Sequence, residues 1–583
     1  MFAYFRFRFQ RQRRRLRREF RVLASWSRNY INRHIWGKWR QLGIIRRLVV
    51  VWWGLAIALV LALLWQSGQL SKPYHHISQA KGAVMAEGSV GQIKVINPVL
   101  PDTQASADVS RLIFNGLVRY NTKGALEPDL ATSWDISADG KTYTFHLRRG
   151  VKWHDGVPFT SEDVAFTLAA IQNPDSRSPV APSWQGITAD PIDELTLVYH
   201  LPNAYPPFLA ACTQGIIPRH LLESIEPSAL RANDFNQKPV GTGPYKISSF
   251  ESAGHRVMLT ANNDYYGGRP KIHQFEYRWY DSTSKLHEAY AKRQILAFGD
   301  VEPSQISQIA GLPNLKLHTY SQPNQSILIM RNSQTILRDK NVRAAINLAT
   351  DRNQIINDAL VGQADISAGP LLPGQVGFAG KLQLPKTNLE AAQKLLDQAG
   401  WVKGNDGFRA KDGQVLELTL VTRDGGVWPQ VAGDIKTQLA RAGIAIKVRT
   451  ADLETLEQTY IRPRNYDLLL FGYQIGPDPD VYAFWESSQG SDPGLNLAVY
   501  NAPIADKALE AGRINPNPQV RKGKYLTFQQ QWLADVPSVP LYSTDYIYAA
   551  SSRVVGISGT KLMDPTDRFY NIQNWTIAEA PVR

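Results

Sequence analysis

One cysteine, Cys212, in 583 residues rules out any intrachain disulfide. An exported domain of this length must then hold together by core burial alone, which several hundred residues can supply. Cys212 lies far beyond the one long hydrophobic run and is not placed to carry a lipid. Signatures of catalysis are missing as well: there is no G-x-S-x-G elbow and no Walker A loop. His287-Glu288 lacks the second histidine that would put two zinc ligands on one helix face. Ser282-Thr-Ser-Lys285 matches S-x-x-K, but no S-D-N or K-T-G accompanies it, and it reads as a helix start. Asp478-Pro-Asp480 departs from a calcium loop at Tyr482 and has no glycine at the sixth position. In Val240-Gly-Thr-Gly-Pro244 the proline removes a donor where a phosphate-binding helix would begin, so the segment reads as a loop entering a strand. The histidines are scattered, and only His75-His76 adjoin. No catalytic residue, metal site or cofactor is therefore expected, and binding is the class left standing.

Acidic residues are scarce only at one end. Residues 1–47 hold fifteen Lys and Arg against the single acid Glu19, which accounts for the whole net charge of +14. The other 536 residues carry 50 bases and 50 acids, so the body is neutral and no nucleic-acid partner is indicated. The arm abuts Leu48–Trp65, eighteen uncharged and mostly apolar residues. As a helix these span roughly 27 Å, close to a hydrocarbon core. The positive-inside rule places the arm in the cytoplasm and everything after Trp65 outside, on a single-pass anchor. A cleavable signal peptide is the competing reading. It would need a charged region of all 47 residues, and no A-x-A site follows closely. The arm interleaves bases with Tyr4, Phe5, Phe7, Trp26 and Trp36. It reads either as a helix on anionic membrane lipid or as a solvated topogenic tail. A polar linker is expected over 66–89.

The body is long enough for about three or four domain-sized units. Val109, Leu112, Ile113 and Leu117 share a helical face. Trp134-Asp-Ile136 and Tyr143-Thr-Phe145-His-Leu147 alternate around Asp139-Gly140, a hairpin signal. Thr160-Ser-Glu-Asp163 caps a helix through Val164, Leu168 and Ile171. Farther on, the spacing predicts a helix over 388–399, a strand at Leu416–Leu420, a helix from Val431 to Gly443, and strands at Ile444–Val448 and Tyr466–Phe471. Strands separated by helices argue for a mostly parallel region within an α/β fold of mixed sheets.

An ordered set of motifs carries a resemblance. Phe114-Asn-Gly-Leu-Val-Arg-Tyr120, Leu126-Glu-Pro-Asp-Leu-Ala-Thr-Ser-Trp134, the run Ser137–Gly156 and Phe159-Thr-Ser-Glu-Asp-Val164 come first. Gly241-Thr-Gly-Pro-Tyr245, Asn263-Asp-Tyr-Tyr-Gly267, Asn341-Val-Arg-Ala-Ala-Ile346 with Asp351-Arg352, and Asp478-Pro-Asp-Val-Tyr482 follow. Over about residues 90–575 the chain resembles the bacterial extracellular solute-binding protein family 5, the oligopeptide, dipeptide and nickel-binding group of ABC importers. The resemblance implies a two-lobed clamshell of the type II periplasmic-binding-protein fold that captures an oligopeptide or other small solute. It would deliver that ligand to an ABC permease with a cytoplasmic ATPase. Lobe 1 would combine 90–325 with 540–583, including an inserted subdomain near 123–239, and lobe 2 would be 326–539. Ser326–Met330 and Val536–Tyr542 are expected to make the crossings.

Most of the matching residues read as structural, Trp134, Trp153 and Gly156 among them. The expected ligand-binding residues are Asn97, Trp428 after the glycine-rich Asp424-Gly-Gly, and Tyr473, Gln474, Ile475, Gly476 and Asp478. Tyr473, Gln474 and Trp428 suit an extended peptide, which needs hydrogen-bonding partners and roomy, wet pockets. Peptide binders of the family often hold the ligand's ammonium with an aspartate just before the D-P-D-like segment. This chain has Ile475 or Gly476 there, so either Asp478 takes that role or the ligand is not a peptide with a free N-terminus. A sensor of the same fold, a binder of an oligosaccharide, opine or metal chelate, and an anchored cell-wall hydrolase are the alternatives.

Overall fold

The computed structural model describes residues 84–579 except Pro477, together with Trp52, Trp53, Ala58 and Leu59. The expected arm, most of the expected anchor and residues 66–83 of the expected linker lie outside the described residues. Among the described residues no helix is long and apolar enough to cross a membrane.

A mixed sheet of twelve strands runs through both lobes. Its spine is the 14-residue strand Ser538–Ser551. The first part of this strand pairs antiparallel with Asn324–Met330, from Ser538 opposite Ile329 to Tyr542 opposite Ser326. Its last part pairs with Leu315–Ser321, from Asp545 opposite Ser321 to Ser551 opposite Leu315. The chain thus changes lobes at Gln322-Pro323 and again around Ser543-Thr544. The runs expected to make these crossings, Ser326–Met330 and Val536–Tyr542, are largely paired with each other inside the lobe 2 core, where Ile327, Leu328, Met330, Val539 and Leu541 are fully buried.

Each lobe has its own core. One cluster joins residues between Met85 and Ala297 to residues between Tyr546 and Ile577, and the other draws on Ile327 through Tyr542. In lobe 2, Glu417–Arg423 lies parallel to both Ala445–Ala451 and Leu468–Gln474, whereas Asn324–Met330 is antiparallel to the last of these. The helix Leu389–Gln398 starts on the Asn388 side chain, and Trp428–Arg441 buries Val431, Ile435 and Leu439. In lobe 1 the expected hairpin forms as Ala131–Ile136 and Thr142–Leu147, part of a separate four-stranded sheet. The turn places Gly140 at φ +69°, where a side chain would be strained. A capping box at Thr160 and Asp163 opens the helix Ser161–Gln172.

Two expectations need correction. The helix expected to reach Leu117 is Gln104–Ile113 and stops short. The Ile113 carbonyl is taken by the Gly243 amide at 2.7 Å, and a Cβ on Gly116 would lie 2.6 Å from the Thr213 carbonyl oxygen. A long-range contact thus ends the helix where the apolar spacing would have continued it. Gly241-Thr-Gly243 is the loop that docks there before the strand Tyr245–Glu251. The polar linker expected to run to residue 89 is already strand from Val84. Glu87, in this segment, is buried against Arg568 at 2.6 Å. Arg568 also pairs with Asp108 at 2.6 Å, and the Tyr548 and Tyr277 hydroxyls donate to Glu87 and Asp108. This charged cluster clips the C-terminal segment into lobe 1.

Candidate functional site: the cleft between the lobes

The strand Leu468–Gln474 and the loop after it bring five of the expected residues to the crossing. The Ile475 amide donates to the Pro323 carbonyl at 2.9 Å, which ties this segment to the first crossing. Gly476, at φ +78°, turns the chain, and its carbonyl accepts from Gln375 Nε2 at 2.8 Å. Tyr473 stacks on Phe484 at 4.5 Å, and its hydroxyl donates to Gln325 Oε1 at 3.0 Å. Burial pushes the Tyr473 phenol well above its ordinary range. Gln474 is exposed and opposes Asn324 in the ladder.

Asp478 is engaged. Its Oδ1 accepts from Arg521 Nη2 at 2.6 Å and from the Asp480 amide at 3.0 Å. The remaining two expected residues lie elsewhere. Trp428 crosses the opposite face of the strand from Tyr473, where a Cβ on Gly472 would come within 2.9 Å of its ring. Asn97 is buried in lobe 1, donating to Asn236 Oδ1 at 3.0 Å and accepting from the Val99 amide at 3.1 Å.

A cavity of about 250 Å3 sits at the crossing. Gln322 and Pro323 line it from one chain crossing, Ser543 and Asp545 from the other, Asp365–Gly369 and Gly476 from lobe 2, and Lys561 from lobe 1. Burial, with Asp365 nearby, raises the Asp545 carboxyl above its ordinary value. Among the described residues the buried Gln322 Nε2 has no hydrogen-bond partner. The lobes also touch away from this cavity. The Arg513 guanidinium lies 4.7 Å from the Tyr482 ring in lobe 2 and 5.3 Å from the Tyr205 ring in lobe 1, and pairs with Asp480 at 3.2 Å.

Sequence reasoning missed Gln322, Gln375, Arg513, Arg521 and Lys561. Lone polar residues on helices and loops carry no local signal, and their partners are distant in the chain. Only the D-P-D segment offered a hint, since two closely spaced acids in a neutral body call for cations. The arrangement can hold a solute of several polar groups between two surfaces. Among the described residues no group of three or more His, Cys, Asp or Glu is placed to hold a metal ion.

Residues 125–494 match the family model described as bacterial extracellular solute-binding proteins, family 5, middle. Over 511 residues the chain is 27% identical to the oligopeptide-binding protein AppA of Bacillus subtilis, covering 86% of this chain and 92% of AppA. It is 30% identical over 475 residues to Protein XP55 of Streptomyces lividans, covering 77% and 82%. Two solved structures are similar. AppA from Bacillus subtilis, in complex with a nonapeptide, has 25% identity and a TM-score of 0.68, over 86% of this chain and all of that one. NikZ from Campylobacter jejuni, in complex with Ni(L-His), has 27% identity and a TM-score of 0.71, over 85% and 99%.

Proposed function

The chain belongs to the bacterial extracellular solute-binding proteins, family 5, and on that premise we propose that it captures an oligopeptide between its lobes and hands it to an ABC permease driven by a cytoplasmic ATPase. The observation that carries this reading is the cavity at the crossing, which is walled by both lobes and by both chain crossings. A solute there contacts both lobes at once, and its differential contacts shift an open–closed equilibrium toward the closed form. The peptide assignment draws on the likeness to AppA. Gln474 and the turn at Gly476 are proposed to meet the ligand, with Tyr473 and Ile475 supporting them, while Trp428 and Asn97 serve the packing of their own lobes. The protein would act without turnover.

One observation favours a second reading, a non-peptide solute such as an opine, oligosaccharide or metal chelate. Asp478 is already paired with Arg521, so it is not available to a ligand ammonium. A cation buried there without a partner would be costly.

The two-lobe division with an inserted subdomain near 123–239 stands as part of the proposal, with its limits moved to Val84, Gln322-Pro323 and Ser543-Thr544, and the two separate cores and the four-stranded sheet between 131 and 200 support it. We also propose that residues 48–65 anchor the chain and that the basic arm contacts inner-leaflet lipid, supported by the charge distribution.

Native mass spectrometry of the full-length chain tests the capture reading. An intact small molecule should leave the protein on denaturation, and added peptides should be returned uncleaved. Retention of nothing from cell extract, or hydrolysis of added peptides, would overturn it.

A further inference from the structure

Where the chain changes lobes, the spine strand Ser538–Ser551 gathers two acids and a lysine on one face. Asp545 pairs with Ser321 on one side. Ser321 is bridged in parallel by Lys561 on its other side. Two residues back along the spine, Ser543 pairs with Asp365 of lobe 2. Directly paired residues point to the same face of a sheet, and so do residues two apart on one strand. Asp365, Ser543, Asp545, Ser321 and Lys561 therefore share a face, and all five line the cavity at the crossing.

These charges find no match within the protein. Among the described residues none of the three charged side chains makes an ion pair or a hydrogen bond, and the Lys561 Nζ reaches instead toward lobe 2, 3.6 Å from where a Cβ on Gly374 would lie. Asp365 and Asp545 are diagonal neighbours in the ladder, with Cβ atoms about 7–8 Å apart. Like charges at that spacing repel, and one ammonium between the two carboxylates removes the repulsion. Gln322, which follows Ser321, adds a buried Nε2 without a partner, and its burial costs free energy until an acceptor meets it.

Neighbouring strands lie about 4.8 Å apart, so Lys561, two strands from Asp545, stands roughly 10 Å from it at the backbone. The cavity is thus acidic at one end and basic at the other, a pattern that neither a neutral solute nor a singly charged one satisfies. An extended chain advances about 3.3–3.6 Å per residue, so termini that meet charges roughly 10 Å apart belong to a peptide of about two or three residues. The volume of about 250 Å3, below the range usual for drug-sized ligands, suits a solute of that length.

We propose that this cavity selects short zwitterionic solutes, with the ammonium held between Asp545 and Asp365 and the carboxylate held by Lys561; in a peptide these are its two termini. The inference rests on the proposed capture between the lobes and names the chemical class captured. It supplies the acid that Asp478, spent on Arg521, does not. Asp365 stands on lobe 2 and Asp545 on the lobe 1 part of the spine, so the bound ammonium also ties the lobes together.

The test uses the full-length chain and one random tripeptide library in four forms: free at both ends, N-acetylated, C-amidated, and capped at both ends. Retained ligand is read by native mass spectrometry and affinity by calorimetry on the best ligand found. The expected result is retention of the free form over all three capped forms. Asp545→Asn should weaken binding of the best free tripeptide at least about tenfold, because one partner of a desolvated charge pair is lost. It should also erase the preference for free over acetylated peptides. Lys561→Gln should likewise erase the preference for acids over amides. Asp365→Asn, at an exposed position, should reduce the ammonium preference too and carries the test if Asp545→Asn does not fold. A merely structural role would lower melting temperature, or affinity for all four forms alike, and leave both preferences unchanged.

Equal retention of the four forms by the wild type would overturn the inference while leaving peptide capture standing. So would retention of a hexapeptide library in place of the tripeptides. An ammonium preference that survives in both aspartate variants, or a carboxylate preference that survives in Lys561→Gln, would overturn it as well. If no peptide is retained, the peptide reading falls, and free amino acids set against their methyl esters and N-acetyl derivatives decide the inference. Preference for the free zwitterions, lost in Lys561→Gln, supports it, and any other result overturns it.

Discussion

Asn324 grips Thr544 twice: its Nδ2 donates to the Thr544 carbonyl at 2.8 Å, and its Oδ1 accepts from the Thr544 amide at 2.9 Å. One side chain thus holds the two chain crossings together between the strand pairing of lobe 1 and that of lobe 2. Replacing it with alanine leaves a backbone donor and acceptor short of partners, at a cost of about 1–3 kcal/mol. Asn324→Ala should therefore unfold at lower denaturant concentration and scatter X-rays as a more open particle. Unchanged midpoint and radius of gyration would show that the clamp contributes nothing to the hinge.

Arg568 sits between Glu87 and Asp108 at 1% exposure. Arg568→Met strands two buried carboxylates, and breaking a buried pair typically costs about 3–5 kcal/mol. Urea denaturation should register a loss of that size. The triple variant Arg568→Met, Glu87→Gln, Asp108→Asn should recover part of it, since it removes the uncompensated charges.

Asp567 titrates with an unfavourable charge. Burial, opposed by Arg111, pushes its carboxyl from 3.8 up to about 6. The folded state then binds a proton more tightly than the unfolded state, so stability falls as pH rises from about 4 through about 6 and is level beyond that window. At 1.36 kcal/mol per unit, the full effect is at most about 3 kcal/mol. Asp567→Asn should flatten this segment of the stability–pH curve, measured as denaturation midpoints of variant and wild type at pH 4, 5, 6 and 7. Parallel curves would contradict the assignment.

Arg513 bridges the lobes between Tyr205 and Tyr482. Each cation–π contact is worth about 0.5–2 kcal/mol depending on desolvation. Arg513→Ala should shift the ligand-free population toward the open form. Inter-lobe distance by fluorescence transfer should lengthen on average, while Arg513→Lys should fall between the two.

Local sequence alone determined a good deal of this protein. The capping box at Thr160, the hairpin at Asp139-Gly140 and the helices begun at Asn388 and ended at Gly443 were legible, because caps, turns and apolar periodicity act over a few residues. Ordered motifs along the body were enough to identify the family. Tertiary structure alone decided where the helix from Gln104 stops, because Gly243, far along the chain, takes the Ile113 carbonyl. It likewise decided that Glu87 is buried and that Asp478 is neutralised by Arg521. It also showed that Trp428 and Tyr473 lie on opposite sides of one strand, and that Asn97 is spent inside lobe 1. The physical reason is the same in each case. A charge or a carbonyl has no fixed meaning until its partner is placed, and these partners are brought together only when segments distant in the chain pack within one lobe.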